Sequence, residues 1–238
     1  MNWKIIHIDE TDSTNRWLTV NRTEGQAPCV VVADYQTAGR GCGTNKWESE
    51  RGKNLLYSMM IHPAEIPVNK QFVVSMAVAN SIAAVVAKYV TSQAVSVKWP
   101  NDIYVGDKKI CGILIENRLQ GGVIKDSIIG IGLNVNQREF KSDAPNPVSL
   151  YQLTGQESDL EELLKAFLDA FDSSYNNKTT RFTYKEMLYR KGKDRLYQDK
   201  TSRFTATLTD VLPDGRLLLV DQEGRERLYA FKEVAFVI

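Results

Sequence analysis

Three glycines alternate along TAGRGCGTNKW, residues 37–47, with Arg40 between the first two. Glycine weakens helices and strands, so this density marks a loop shaped to hold something. The spacing is not a dinucleotide fingerprint, because Gly-x-Gly-x-x-Gly from Gly39 needs glycine where Thr44 stands. It is not a Walker loop either, since no glycine is followed by Lys and then Ser or Thr. Two readings remain: an anion cradle, in which backbone N–H groups and the Arg40 fork face a phosphate or carboxylate, or a mobile surface loop with a solvated arginine.

A second stretch, SVKWPNDIYVGDKKICGILIEN (96–117), adds chemistry. Pro100 pushes Trp99 to extended backbone, and Asn101 and Asp102 follow at a bend where short polar side chains can reach a ligand or metal. Period-two alternation puts Lys109 on a face with Cys111, Ile113 and Ile115. It is then either an edge lysine with its head in water or a charge held for an anion, with Gly112 leaving room. In IIGIGLNVN (128–136), Gly130 and Gly132 share a strand face, followed by Asn134 and Asn136. Strand glycines mark close approach, by a ligand or by a neighbouring strand.

The elements that must position these residues follow from pattern. Strands are expected over 3–9, 29–36, 54–61, 95–99, 102–105, 109–117 and 123–136. Helices are expected over 12–20, 70–90 and 158–171, the last with Ser158 and Glu161 as a capping box, and near 180–196. Residues 142–148 read as a loop. After Asp199, short strands separated by LPDG and DQEG suggest a small antiparallel barrel, with a boundary near 188: 1–188, then 189–238. The apolar run Phe72–Val90 approaches membrane length, but Ser75, Asn80, Ser81 and many alanines make it a buried helix, so no membrane is expected.

Bulk charge narrows the function. In 238 residues, Lys+Arg 30 against Asp+Glu 29 leaves no basic excess, so no nucleic-acid partner is expected. The N-terminus has no signal-peptide pattern. Three cysteines without a CxxC pair fit free thiols in a reducing, cytoplasmic setting. His7 and His62 are too few for a histidine metal cluster, and neither sits in a hydrolase motif.

Taken together, DSTN (12–15), ADYQTAGRG (33–41) with Trp47, GKNLLYS (52–58), KWPNDIYVGDKKICGILIE (98–116) and IGIGLNVN (129–136) resemble the biotin protein ligase family in order and spacing. The resemblance covers nearly the whole chain, and KWPND with Lys-x-x-Gly-Ile-Leu-x-Glu is its most specific part. It implies an α/β (α+β) mixed-sheet catalytic domain similar to class II aminoacyl-tRNA synthetases and lipoate ligases, followed by an SH3-like barrel. It implies that biotin and ATP, with Mg²⁺, give biotinyl-AMP, whose acyl group passes to a lysine of a biotin carboxyl carrier protein. A carboxylate must then approach a polyphosphate, and two like charges 4 Å apart cost ~4 kcal/mol at an effective dielectric of 20. Arg40, Lys109 and Mg²⁺ would cancel that repulsion.

By the same resemblance, Lys109 binds the biotin carboxylate. Ser13, Thr14 and Gln36 bond the ureido head, with Asn15, Gly39, Arg40, Trp47 and Ile113 beside the biotin. Gly112, Gly130 and Gly132 shape the slot for its rings. Arg40, Trp47, Asn101 and Asn134 face ATP, and Asn101 is the candidate Mg²⁺ ligand. Asp102 receives the incoming amine. The resemblance also allows a homodimer.

The chain departs from the family pattern in its loop. Basic residues usually continue Gly-Arg-Gly, and here Cys42, Gly43, Thr44 and Asn45 do. A looser lid and some escape of biotinyl-AMP are expected, to be tested by comparing bystander biotinylation with that of a Cys42→Arg variant. No adenine-stacking aromatic is evident in PNPVSL. DSTN begins at residue 12, so no operator binding is expected. The rival readings are a lipoate or octanoate ligase or transferase, and a non-catalytic binding module.

Overall fold

The computed structural model describes residues 1–23, 25–142, 144–177 and 179–237. Seven strands form one mixed sheet: β1 (Lys4–Thr11), β2 (Cys29–Gln36), β3 (Leu55–Ile61), β4 (Val95–Lys98), β5 (Asp102–Val105), β6 (Lys108–Gln120) and β7 (Val123–Leu133). Their order is β1-β2-β3-β7-β6-β5-β4, with β1 and β2 parallel and the other pairs antiparallel.

Period-two alternation gives this sheet two unlike faces. Ile129, Ile131 and Leu133 of β7, with Tyr57 and Met59 of β3, enter the main core. That face is covered by α2 (Phe72–Tyr89), α4 (Leu160–Tyr175) and α5 (Thr180–Glu186). The apolar run is therefore a core helix, as its serines, asparagine and alanines indicate. The opposite face carries α1 (Thr14–Asn21), which seats Leu18 on Cys29, Val31, Met60 and Ile128. Beyond α1, that face is open.

Two helix boundaries differ from expectation. The capping box expected at Ser158 and Glu161 is not the device used: Asp159 caps α4, its Oδ1 accepting from the Glu161 and Glu162 amides at 2.8 and 3.0 Å. An anionic cap suits the positive end of a helix, and Ser158 is engaged elsewhere, its amide donating to Asn136. A capping box forms instead at Ser149 and Gln152, on α3 (Leu150–Thr154). The segment expected to be helical near 180–196 stops at Glu186. Residues 187–189 leave the helix to pair with the edge of β4, through Val97 N–H to Met187 O (2.7 Å) and Tyr189 N–H to Val97 O (2.9 Å). The loop over 142–148 has no helix or strand in its described residues; Asp143 lies outside them.

A second, antiparallel sheet holds β8 (Asp194–Asp199), β9 (Arg203–Val211), β10 (Leu217–Asp221), β11 (Glu226–Tyr229) and β12 (Val234–Phe236), ordered β11-β10-β9-β8-β12. Its first strand begins before Asp199, where the sequence texture changes. The two parts interlock where Trp99 Nε1 donates to Gly215 O (2.8 Å).

Asp221 is 5% exposed and accepts from the Glu223 and Arg225 amides and from the Arg225 and Arg227 guanidiniums. Burial pushes its carboxyl up, but the Arg225 amide and the two guanidiniums outweigh this and hold it at about 2, against an ordinary 3.8. A carboxyl depressed by folding contributes its full stability above its ordinary value and loses it as pH falls through the folded value. The thermal unfolding temperature is therefore expected to drop as pH falls from about 4 to about 2. An Asp221→Asn variant should be less stable at neutral pH and show a shallower drop; parallel pH curves would refute the assignment.

Candidate active site

Strand pairing builds one row across four strands. Lys98 lies opposite Asp102, Asp102 opposite Gly112, and Gly112 opposite Gly132. Directly paired residues project from the same face, so the row presents two charges and then a glycine floor. Over it lies a cavity of about 1240 Å³ on the open face of the sheet. Its walls are the glycine loop, Phe140, Ser142 and residues 144–147, and the turn before β12.

Lys109 enters this cavity by a route that alternation does not give. Tyr104 pairs with Lys109 but Ile103 pairs with Cys111, so Ile110 is an extra residue. This bulge sends both Ile110 and Cys111 into the main core and leaves Lys109 on the other face with Gly112. The expectation that Lys109 shares a face with Cys111, Ile113 and Ile115 is therefore corrected. The Lys109 ammonium lies 2.7 Å from Asp102 Oδ1 and 5.5 Å from the centre of the Trp47 ring. Here the charge is held by a carboxylate, with 31% of the lysine side chain exposed and 18% of the aspartate.

The glycine loop is a small hairpin. Arg40 bridges Lys46, the Gly41 amide donates to Asn45 O at 2.8 Å, and the Trp47 amide donates to Gly39 O at 2.9 Å. Gly39 lies in this turn and does not line the cavity; a β-carbon there would stand 2.6 Å from Trp47 O. Arg40 is half exposed, and both its terminal nitrogens donate to Glu116, at 3.0 and 3.4 Å. Asn15 Nδ2 donates to the same carboxylate at 2.8 Å.

From Asn15 a polar chain runs under the cavity. Ser58 Oγ donates to Asn15 Oδ1 at 2.6 Å and lies 2.6 Å from Thr14 Oγ1. Gln36 Oε1 accepts from the Thr14 amide and hydroxyl at 2.8 and 3.1 Å. Ser13, Thr14, Asn15 and Gln36 all border the cavity, and a buried network of this kind fixes the orientation of each member.

The strand glycines are approached by side chains. A β-carbon at Gly132 would lie 2.4 Å from Trp47 Cε2, and one at Gly112 would lie 2.8 Å from Trp47 Cζ3. At Gly130 the neighbour is Asn15 Oδ1, 2.3 Å from that position. Trp47 thus rests on the glycine floor, its indole N–H buried with no partner among the described residues. Ile113 borders the cavity while packing in the main core. Asn136, expected beside Asn134, instead bonds Ser158 and holds the start of α4.

Asn101 Nδ2 donates to Ile113 O at 2.6 Å and to Cys42 Sγ at 3.1 Å. Asn134 Nδ2 donates to Val148 O at 3.1 Å, and its Oδ1 is buried without a partner among the described residues. Among the described residues no group of three His, Cys, Asp or Glu side chains could hold a metal. Asn101 and Asn134 both border the cavity, and the orphaned Asn134 Oδ1 is the kind of oxygen Mg²⁺ takes, an ion that needs few protein ligands when phosphates supply the rest.

Four residues of the site carried no expected role. Glu116 and Ser58 stood inside quoted motifs, but only the register shows that they meet Arg40 and Asn15. Lys98 lies between the Tyr104 and Phe236 rings, 5.1 and 5.4 Å from their centres, and burial pushes its ammonium down while Asp102 pulls it up. Phe140 supplies an aromatic wall just upstream of the segment searched for one. Burial, and then Asp102, raises the Cys42 thiol.

A model described as the biotin/lipoate A/B protein ligase family matches residues 7–134. The bifunctional ligase/repressor BirA of Bacillus spizizenii is 31% identical over 245 residues, covering 97% of this chain and 73% of that protein. The biotin–[acetyl-CoA-carboxylase] ligase of Mycobacterium tuberculosis is 30% identical over 159 residues, 63% of this chain and 56% of that one. In structure, the chain is similar to the biotin protein ligase from Aquifex aeolicus in complex with biotin and ATP. The TM-score is 0.80 at 27% identity, and 97% of each chain is covered. With a family model over more than half its length and a relative matched over nearly all of it, the chain belongs to the biotin/lipoate A/B protein ligase family.

Proposed function

We propose that this chain is an ATP-dependent ligase that activates biotin as biotinyl-5′-AMP and transfers the acyl group to a lysine of a biotin carboxyl carrier protein. The observation that carries the reading is the convergence of Arg40, Lys109 and Asp102 on one cavity floored by Gly112 and Gly132. The relative named as a biotin–[acetyl-CoA-carboxylase] ligase and the neighbour solved with biotin and ATP support biotin over lipoate.

In the first step the biotin carboxylate displaces Asp102 from Lys109, and Arg40 turns from Glu116 to the nucleotide phosphate. A carboxylate oxygen bonds to the α-phosphorus, the bond to the β-phosphate breaks, and pyrophosphate leaves. Ser13, Thr14 and Gln36 hold the ureido head with Asn15 beside it, Thr14 being fixed by Ser58 and Gln36, and Asn15 by Ser58. Asn101 and Asn134 would hold Mg²⁺, which neutralises phosphate charge when bound. In the second step the lysine amine bonds to the acyl carbon, the carbon–oxygen bond to AMP breaks, and Asp102 takes the amine proton. The division at 188, a cytoplasmic setting and a homodimer belong to the same reading.

Biotin-dependent exchange of labelled pyrophosphate into ATP tests it, with lipoate and octanoate as competitors. Exchange is expected with biotin and not with lipoate. Exchange driven by lipoate or octanoate alone would overturn the substrate assignment, and none with any acid would overturn the activity.

A further inference from the structure

The described residues of the cavity mouth include a cation that neither step above uses. Lys232 lies in the turn between β11 and β12 and borders the cavity. Its backbone is left-handed, with φ 67°. A non-glycine residue with a long side chain rarely adopts this conformation, and such strain collects where a side chain must be presented. The ammonium has no carboxylate partner among the described residues; it lies against Gly43 of the glycine loop and 5.7 Å from the centre of the Phe231 ring. The adjacent Glu233 is turned away, accepting from the Ala230 amide at 2.7 Å.

The glycine loop meets this lysine at Gly43. A β-carbon there would lie 2.0 Å from Lys232 Nζ, so the missing side chain is where the ammonium sits. Loop residues Cys42 to Asn45 bring no charge of their own. Lys232 nevertheless acts on them, for its positive charge opposes the upward shift of the Cys42 thiol. The second sheet thus delivers a free cation to the neutral tip of the loop, on the rim of the site.

We propose that Lys232 is a nucleotide-binding residue that closes the cavity from the second sheet, its ammonium pairing with the adenylate phosphate over the glycine loop and retaining the acyl-adenylate. The inference rests on the adenylating reading above and deepens it. Paired with Glu116 in the free protein, Arg40 must break that contact to serve a phosphate, whereas Lys232 has no such contact to break. It therefore supplies the charge that the loop residues lack, and early escape of the adenylate is correspondingly reduced.

The test compares Lys232→Met, Lys232→Arg and Lys232→Gly with the unaltered protein. The readouts are pyrophosphate exchange at varied ATP and the lifetime of labelled biotinyl-AMP on the protein after gel filtration. A charge-assisted contact at a partly solvated rim predicts about tenfold faster adenylate loss and a comparably raised KM for ATP in the Met variant, with Arg retaining most of both. The Gly variant relieves the left-handed backbone, so its Tm should equal or exceed that of the parent while its adenylate lifetime falls as in Met. Unchanged lifetime and KM in Met and Gly, with normal exchange by the parent, would overturn the inference alone. No exchange by the parent would overturn the adenylating reading and this inference with it.

Discussion

Lys109→Met is expected to lower biotin-dependent pyrophosphate exchange by about a thousandfold. The magnitude follows from charge: bringing a carboxylate to a phosphate at 4 Å costs ~4 kcal/mol at an effective dielectric of 20, and each ~1.4 kcal/mol is a factor of ten. Loss of one preorganised donor to developing charge costs about 10²–10³ in rate elsewhere, which is the same range. Methionine keeps the length and apolar stem of lysine, so packing against Trp47 is conserved while the charge goes. The loss should fall mainly on kcat for adenylation, because the unneutralised repulsion grows as the reacting atoms close. Arg40→Met should cost less, since Arg40 is more exposed, 47% against 31% for Lys109. Exchange by Lys109→Met within about tenfold of the parent would sink the central role of this lysine.

How much of this was legible in the chain differs from residue to residue. β2 was readable to the residue, because the apolar run Cys29–Ala33 continues through Asp34, Tyr35 and Gln36 to the glycine loop. The long helix α2 was readable from its alanine and valine content. The glycines were readable as a place of close approach, but not what approaches, since Trp47 reaches Gly132 only after the loop folds back on itself. Lys109 was the instructive failure. Alternation is a local rule, and a single extra residue at Ile110 inverts it; that bulge is set by the register with β5, which no local pattern encodes. Glu116 and Ser58 were invisible as site residues for the same reason, as their partners lie 76 and 43 positions away. The free cation on the far turn has no local signal at all, since Lys232 stands among ordinary surface residues. The cap of α4 was misread by one position because Ser158 and Asp159 both suit an N-cap, and only the bond to Asn136 removes the serine.

Asp102→Asn should separate the two half-reactions. In the free protein Asp102 holds Lys109 at 2.7 Å, the contact that a substrate carboxylate would take over. Asparagine is nearly isosteric and releases the lysine without emptying the row between Lys98 and Gly112. The biotin carboxylate then meets no rival for Lys109, so adenylate formation is expected to stay within about tenfold of the parent, the range left to a neutral neighbour. Transfer is another matter. An ammonium is no nucleophile, and the amine must be held close and lose a proton beside a carboxylate that only Asp102 supplies in this row. General-base assistance is worth about 10²–10⁴, so the transfer step should fall by that factor, with its rise at higher pH moved toward the ordinary range of lysine. The measurement is a single turnover: load the protein with labelled biotinyl-AMP, then add a carrier domain and follow the label into it. The expected variant loads normally, stalls on addition of the carrier and recovers partly as pH is raised. Equal losses in loading and transfer would show that Asp102 serves only to position Lys109, and the proton would then need another acceptor.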